Sequence, residues 1–127
     1  MSLATEYPIT PITNGAAAVT LGKVVKISSG TVIVTTAVTD TAFGVVTEDA
    51  DADASVSVAP AGSGAIVYVE AAASGIAIGD ALAPAASGRA AKTTTSGHKS
   101  FGHALEASTA AGELIKCVLG ATHRIMP

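Results

Sequence analysis

From Leu21 onward, short β-branched runs alternate with Gly, Ser and Asp turns, the pattern of strands joined by tight connections. VVKI (24 to 27) and TVIV (31 to 34) flank Ser28-Ser29-Gly30, which predicts a three-residue hairpin with Gly30 in the left-handed position. FGVVT (43 to 47), SVSVA (55 to 59), AIVYVE (65 to 70) and Leu114 to Leu119 follow as further strands, at the spacing of an all-β domain. The Gly-rich and Ala-rich segments between them read as loops, with room for one short helix around Glu70 to Ser74.

The pattern recurs within the chain. Gly30, Phe43, Gly44, Glu48 and Val56 return as Gly88, Phe101, Gly102, Glu106 and Leu114, each 58 positions later, while Gly22 and Gly79 differ by 57. Both halves spell turn, strand, Gly-containing hairpin, strand, loop, Phe-Gly, strand, loop, strand. This predicts a duplicated β-unit, residues 21–58 and 78–119, with Phe43 and Phe101 as equivalent core plugs. The glycine after each Phe then permits a bulge or a close backbone approach. Two copies are too few for a solenoid.

Residues 1–18 read differently. In EYPITPITNGAAA, Pro8 and Pro11 favour an extended path and remove two ladder donors. The apolar Tyr7, Ile9 and Ile12 would be wasted on solvent, so this stretch is expected to be an arm that docks on a neighbour, strand addition being one mechanism. Residues 19–127 then form a single β-rich domain. The fold class expected is mainly β: a compact β-barrel or β-sandwich-like domain of two pseudo-repeated units, with an extended arm and at most one or two short helices.

Composition refines that picture. Of 127 residues 49% are hydrophobic, and these comprise 27 Ala, 22 Val or Ile and only 6 Leu. Small side chains bury little apolar area, at about 25 cal/mol per Å², so help from partner subunits is expected. The two longest uncharged stretches, Tyr7 to Gly22 and Ala54 to Val69, have 16 residues each, below the roughly 20 of a membrane helix. No membrane partner is expected, and the start MSLATEYP lacks a signal-peptide pattern, which places synthesis inside the cell. Seven scattered Lys and Arg residues and four aromatics offer neither a basic face nor a stacking platform for nucleic acid.

Candidate chemistry is thin. Asp49, Asp51 and Asp53 alternate as at the start of an EF-hand loop, but Ala54 stands where the turn Gly belongs and Pro60 where the bidentate Glu belongs. An exposed acidic turn is expected instead. His98, His103 and His123 have no helical zinc spacing, and Cys117 reads as a small buried hydrophobe within a strand. Gly62-Ser63-Gly64 precedes a strand and lacks a phosphate-loop Lys, so it reads as a turn. No catalytic residue, metal site or cofactor is expected.

Together, the Pro-containing arm, LGKVVKISSGTVIVTTAVTDTAFGVVTEDADADASVSV, IAIGDALAPAASG and GHALEASTAAGELIKCVL resemble the head-decoration, or capsid cement, proteins of tailed bacteriophages. The first block is similar to the lambda-type order of apolar strand, Ser-rich hairpin, Thr-Asp turn and GVV strand before an acidic loop. The second half is longer here and more plainly a repeat of the first. The resemblance covers residues 7–120. It implies a non-enzymatic virion protein, made in the host cytoplasm, whose homotrimers sit outside an icosahedral shell at local three-fold positions. There they would clamp neighbouring major capsid subunits against packaged DNA. By the same analogy Tyr7, Pro8, Ile9, Pro11 and Ile12 would lie on the shell. The alternatives are a β-barrel ligand- or carbohydrate-binding module, which four aromatics serve poorly, and another virion component such as a head-fibre base or tail protein.

Overall fold

Positive backbone φ angles at two dipeptides set the two hairpins on which the fold is built. The structure is a computed structural model that describes the backbone of residues 12–95 and 98–125, and side chains as far as residue 120. Strands β2 (Val24–Ser28) and β3 (Thr31–Val34) pair so that Ser28 faces Thr31. The loop is therefore two residues, not three: Ser29 (φ 50°) and Gly30 (φ 82°) are both left-handed, the geometry that matches the twist of the flanking strands. Ser87 (φ 62°) and Gly88 (φ 68°) repeat the left-handed pair between β8 (Ala81–Pro84) and β9 (Ala90–Lys92), inside the 3-10 turn Ala86–Gly88, in a loop one residue longer because Ala85 N–H bonds to Arg89 C=O.

The remaining strands are β1 (Ile12–Thr13), β4 (Gly44–Val46), β5 (Ser55–Val56), β6 (Val58–Pro60), β7 (Ile66–Glu70), β10 (Lys99–Ala104) and β11 (Leu114–Ile125). They form a four-stranded sheet in the order β3-β2-β4-β6, a five-stranded sheet in the order β7-β11-β10-β8-β9, and the pair β1-β5. All pairings between these strands are antiparallel. The sheets stay open, so among the described residues the domain is sandwich-like and contains no closed barrel. Glu70 to Ser74 is not helical: Ala71 bridges to Ala90 and Ala72 N–H donates to Ala90 C=O, which extends the β7 path instead.

The register of the two sheets corresponds strand for strand. Val25 faces Gly44 as Leu82 faces Gly102, and Gly44 faces Pro60 as Gly102 faces Leu119. On the last strand the offset is 59, because Val46 faces Val58 as Ala104 faces Cys117. Val56 therefore corresponds to the buried Ile115, and not to Leu114, since the loop before β11 is one residue longer. The correspondence also runs upstream of residue 21. Ile12 faces Val56 as Val69 faces Ile115, and Asn14 bridges to Val32 as Ala71 bridges to Ala90. Of the stretch 1–18 read as an arm, residues 12–18 belong to the body of the fold: Asn14 is fully buried and donates through Nδ2 to the carbonyls of Ala17 and Asp51.

Two apolar clusters result. The larger lies between the sheets and joins Val24 and Val45 to Val69, Leu82, Phe101, Ile115, Cys117 and Leu119. The smaller, on the other face of the first sheet, holds Val19, Val25, Val32, Val46 and Val56, with Phe43 partly buried against it. The first sheet is thus covered on both faces, which is why VV occurs in β2 and β4 without a polar alternate.

Candidate interaction surface

Along β7 and β11 the side chains alternate between core and solvent. Val69, Ile115, Cys117 and Leu119 point inward and are essentially inaccessible. The outward positions are unusually apolar: Ile66 is 65% exposed, Tyr68 43% and Leu114 42%. Val118 stands opposite Ile66 and Lys116 opposite Tyr68, and Leu105 extends the stripe beside Lys116, donating its N–H to the Lys116 C=O at 2.8 Å. Within the five-stranded sheet β7 is an edge strand, so the stripe adjoins backbone able to accept another strand.

One end of β7 is pinned. Glu70 Oε1 accepts from Arg89 Nε at 2.7 Å and from Lys23 Nζ at 3.0 Å, tying the turn before β2 and the start of β9 to β7. Burial opposes the charge, but the bonds from Arg89 and Lys23 outweigh it and hold Glu70 below the usual carboxylate range. The stripe has an apolar middle, one cation in Lys116 and a fixed end, a surface suited to burying a partner's apolar residues.

A second surface lies at the far end of the first sheet. Ile27, Thr41, Ala42, Phe43, Pro60 and Ala61 line an open cleft of about 380 Å³, with Lys99 Nζ donating to Thr41 Oγ1 at its rim. Phe101 is 1% exposed inside the main cluster, whereas Phe43 is only partly buried beside this cleft. The two phenylalanines occupy equivalent backbone positions but different environments, because the first sheet packs over the second unit's core and only the short β1-β5 pair adjoins the first.

Among the shell-contact candidates, Ile12 lies in β1 opposite Val56, and Tyr7, Pro8, Ile9 and Pro11 lie outside the described residues. The acidic turn is exposed and tied to the segment before β2, with Asp49 Oδ1 accepting from Leu21 N–H. Cys117 is buried, which pushes its thiol up to about 12 and leaves it unreactive. No group of three or more His, Cys, Asp or Glu residues that could hold a metal occurs among the described residues. No helix among the described residues is long and apolar enough to cross a membrane.

A family model of phage cement proteins matches residues 5–119. The chain belongs to the phage cement protein family. It is therefore a structural phage protein of the capsid-associated class, in agreement with the resemblance drawn from its turn and strand order. The cement protein shares its fold with "head fiber gp8.5 N base in bacteriophage phi29", with a TM-score of 0.66 and 22% identity over 91% of this chain and 97% of that one. No curated protein matches it. The apolar stripe of this cement protein was not legible in its sequence, because Ile66 and Val67, or Leu114 and Ile115, are equally apolar and only packing decides which is covered.

Proposed function

We propose that this cement protein binds the outer surface of the expanded capsid as a homotrimer and ties neighbouring major capsid subunits together against the pressure of packaged DNA. The observation that carries the reading is the exposed stripe Ile66, Tyr68 and Leu114 on an edge strand, in a chain that belongs to the cement family. The stripe and the β7 edge supply the main capsid contact, and the segment holding Tyr7, Pro8, Ile9 and Pro11 adds a second. Three copies on one rigid body turn weak contacts into firm attachment through effective concentration.

The test is co-sedimentation of the purified protein with expanded and unexpanded shells of its phage, alongside its solution mass. Binding to expanded shells is expected, with Tyr68→Glu weakening it at least about tenfold by placing a charge in the contact. Absence of binding to any shell overturns the reading, and one copy per shell site overturns the trimer. The likeness to a head fiber base favours a second reading, in which the domain seats a further protein on the capsid. Retention of shell binding without any gain in shell resistance to pressure would favour it.

A further inference from the structure

We propose that Asn14-Gly15 is a latent modification site, where spontaneous deamidation is held off by the fold and, once it occurs, stops the segment 12–18 from closing again. The site is independent of shell binding.

Asn14 is the only Asn in the chain, which has no Gln, and a glycine follows it. In that dipeptide the backbone nitrogen of the second residue attacks the side-chain carbonyl carbon of the first. Glycine, with no Cβ, leaves the nitrogen least hindered and the backbone freest to turn. A bond forms between Gly15 N and Asn14 Cγ while the Cγ–Nδ2 bond breaks. The amide proton passes to solvent base and Nδ2 leaves as ammonia, closing a succinimide ring. Water then opens the ring at one carbonyl or the other, giving aspartate or its β-linked isomer. Asparagine and water are consumed, and the acid and ammonia are produced.

The fold closes each part of that path. Gly15 is buried and its N–H donates to Val32 C=O at 2.9 Å, which commits the nucleophile to β3. The leaving group is pinned as well, because Asn14 Nδ2 donates to Ala17 C=O at 2.7 Å and to Asp51 C=O at 3.0 Å. Asn14 is 0% exposed, which keeps solvent base from the reacting atoms. On either side Asn14 N–H donates to Ala54 C=O at 2.8 Å and Asp53 N–H to Gly15 C=O at 2.9 Å. These two bonds hold the backbone against the rotation that ring closure requires.

The same contacts reject the product. Both partners of Nδ2 are carbonyl oxygens, and a carboxylate has no donor to offer them. Aspartate at position 14 therefore sets a buried charge against two acceptors, beside the acidic turn of Asp49, Asp51 and Asp53, and such a charge is costly to bury. The β-linked isomer instead adds a backbone carbon between the Asn14 N–H that meets Ala54 and the Gly15 N–H that meets Val32, so the two bonds cannot both keep their register. Ile12 and Val19 pack in the cluster of Val25, Val32, Val46 and Val56, so failure to close reaches the core of the first unit. The second unit has no such site: Ala71 bridges to Ala90 where Asn14 bridges to Val32.

The test incubates the full-length protein in mildly alkaline buffer, folded and in guanidinium chloride, and follows intact mass. The exchange of –NH2 for –OH reports Asn14 alone, since the chain has no other carboxamide side chain. Deamidation should be at least about tenfold slower in the folded protein, and slower by the factor by which the Gly15 amide is protected from hydrogen exchange, to within about threefold. In guanidinium chloride Gly15→Ala should slow the reaction at least about tenfold by crowding the nitrogen. Equal rates in folded and unfolded protein overturn the protection, and an unchanged rate in Gly15→Ala overturns the attack by Gly15. Asn14→Asp and Asn14→Ala test the release. Both lose the Nδ2 donor but only the first adds a charge, so in Asn14→Asp the Gly15 amide should lose at least about tenfold more protection than in Asn14→Ala. Equal protection overturns the release. Should Asn14→Asp not fold, native protein aged in guanidinium chloride is refolded and fractionated by size exclusion. Deamidated chains should be depleted from the compact fraction, and an equal share in every fraction overturns the release.

Discussion

The unit from residue 12 to 60 and the unit from 69 to 119 carry one hydrogen-bonding plan in two settings. In both, a hairpin of two left-handed residues, a Phe-Gly strand and a final strand lie in the same order. Their surroundings differ. The second hairpin turn is clasped by the first unit, with Gly88 N–H donating to Thr35 C=O and Thr35 Oγ1 donating to Ala85 C=O. At the first turn a side chain at Gly30 would meet nothing within 4 Å among the described residues. Phe101 is sealed between sheets while Phe43 borders a cleft. Backbone geometry is thus set locally by turn residues and close approaches, whereas burial is set by which unit lies on top of which.

The largest effect should separate the phenylalanines. Phe101→Ala removes a side chain enclosed by the main cluster and should cost about 3–5 kcal/mol, the range for a buried aromatic leaving a cavity. Phe43→Ala, at a partly buried site, should cost less than half as much. Chemical denaturation of both variants measures the ratio. Equal losses would mean that the cleft beside Phe43 is closed in solution.

A smaller effect should unite the units. A Cβ at Gly44 would meet the carbonyl oxygen of Ala59, and one at Gly102 that of Val118, the matching backbone atom on the neighbouring strand. In each case backbone is in the way, joined at Gly44 by the side chain of Val58, so the strands must part. Gly44→Ala and Gly102→Ala should each cost roughly 1–3 kcal/mol, as overpacking does, and by similar amounts. A difference much larger than their shared error would show that the two Phe-Gly strands, though alike in register, are held with unequal stiffness.

The sequence carried the elements that depend on neighbours in the chain. Val24 to Ile27 and Thr31 to Val34 were legible as a hairpin because Ser-Gly supplies the turn, and Phe-Gly marked the repeat because the close approach admits no other residue. What depends on distant packing was not legible. Residues 12 and 13 read as part of an arm because two prolines precede them, and the pairing that draws them into the fold, Ile12 with Val56, joins positions far apart in the chain. Ile66, Tyr68 and Leu114 could not be told from their buried neighbours. The loop before β11 hid one extra residue, so the equivalence slid from Ile115 to Leu114, which exchanges a core position for a surface one.

The smallest effect concerns a feature that the units do not share. Asp40 closes the loop after β3, accepting from the Thr36 and Ala37 amides and pairing with Lys26 at 3.1 Å. The corresponding position in the second unit is His98, which meets Thr93 Oγ1 through Nδ1 instead. The Thr36 amide above all, helped by Lys26 and Ala37 against the opposing effect of burial, brings the Asp40 carboxyl from 3.8 to about 2. Because the folded value is lowered, the charged form stabilises the native state above the ordinary carboxylate range, and that contribution is lost as pH falls through about 2. Glu70 is lowered for a similar reason and adds a loss of the same sign. The urea midpoint should therefore decline from about pH 4 downward. Asp40→Asn should lower stability at neutral pH and flatten part of that decline, and Glu70→Gln should flatten another part. If Asp40→Asn leaves the acid limb of the curve unchanged, the loop of the first unit is held by its amides alone, and the charge that distinguishes it from the second unit contributes nothing to the fold.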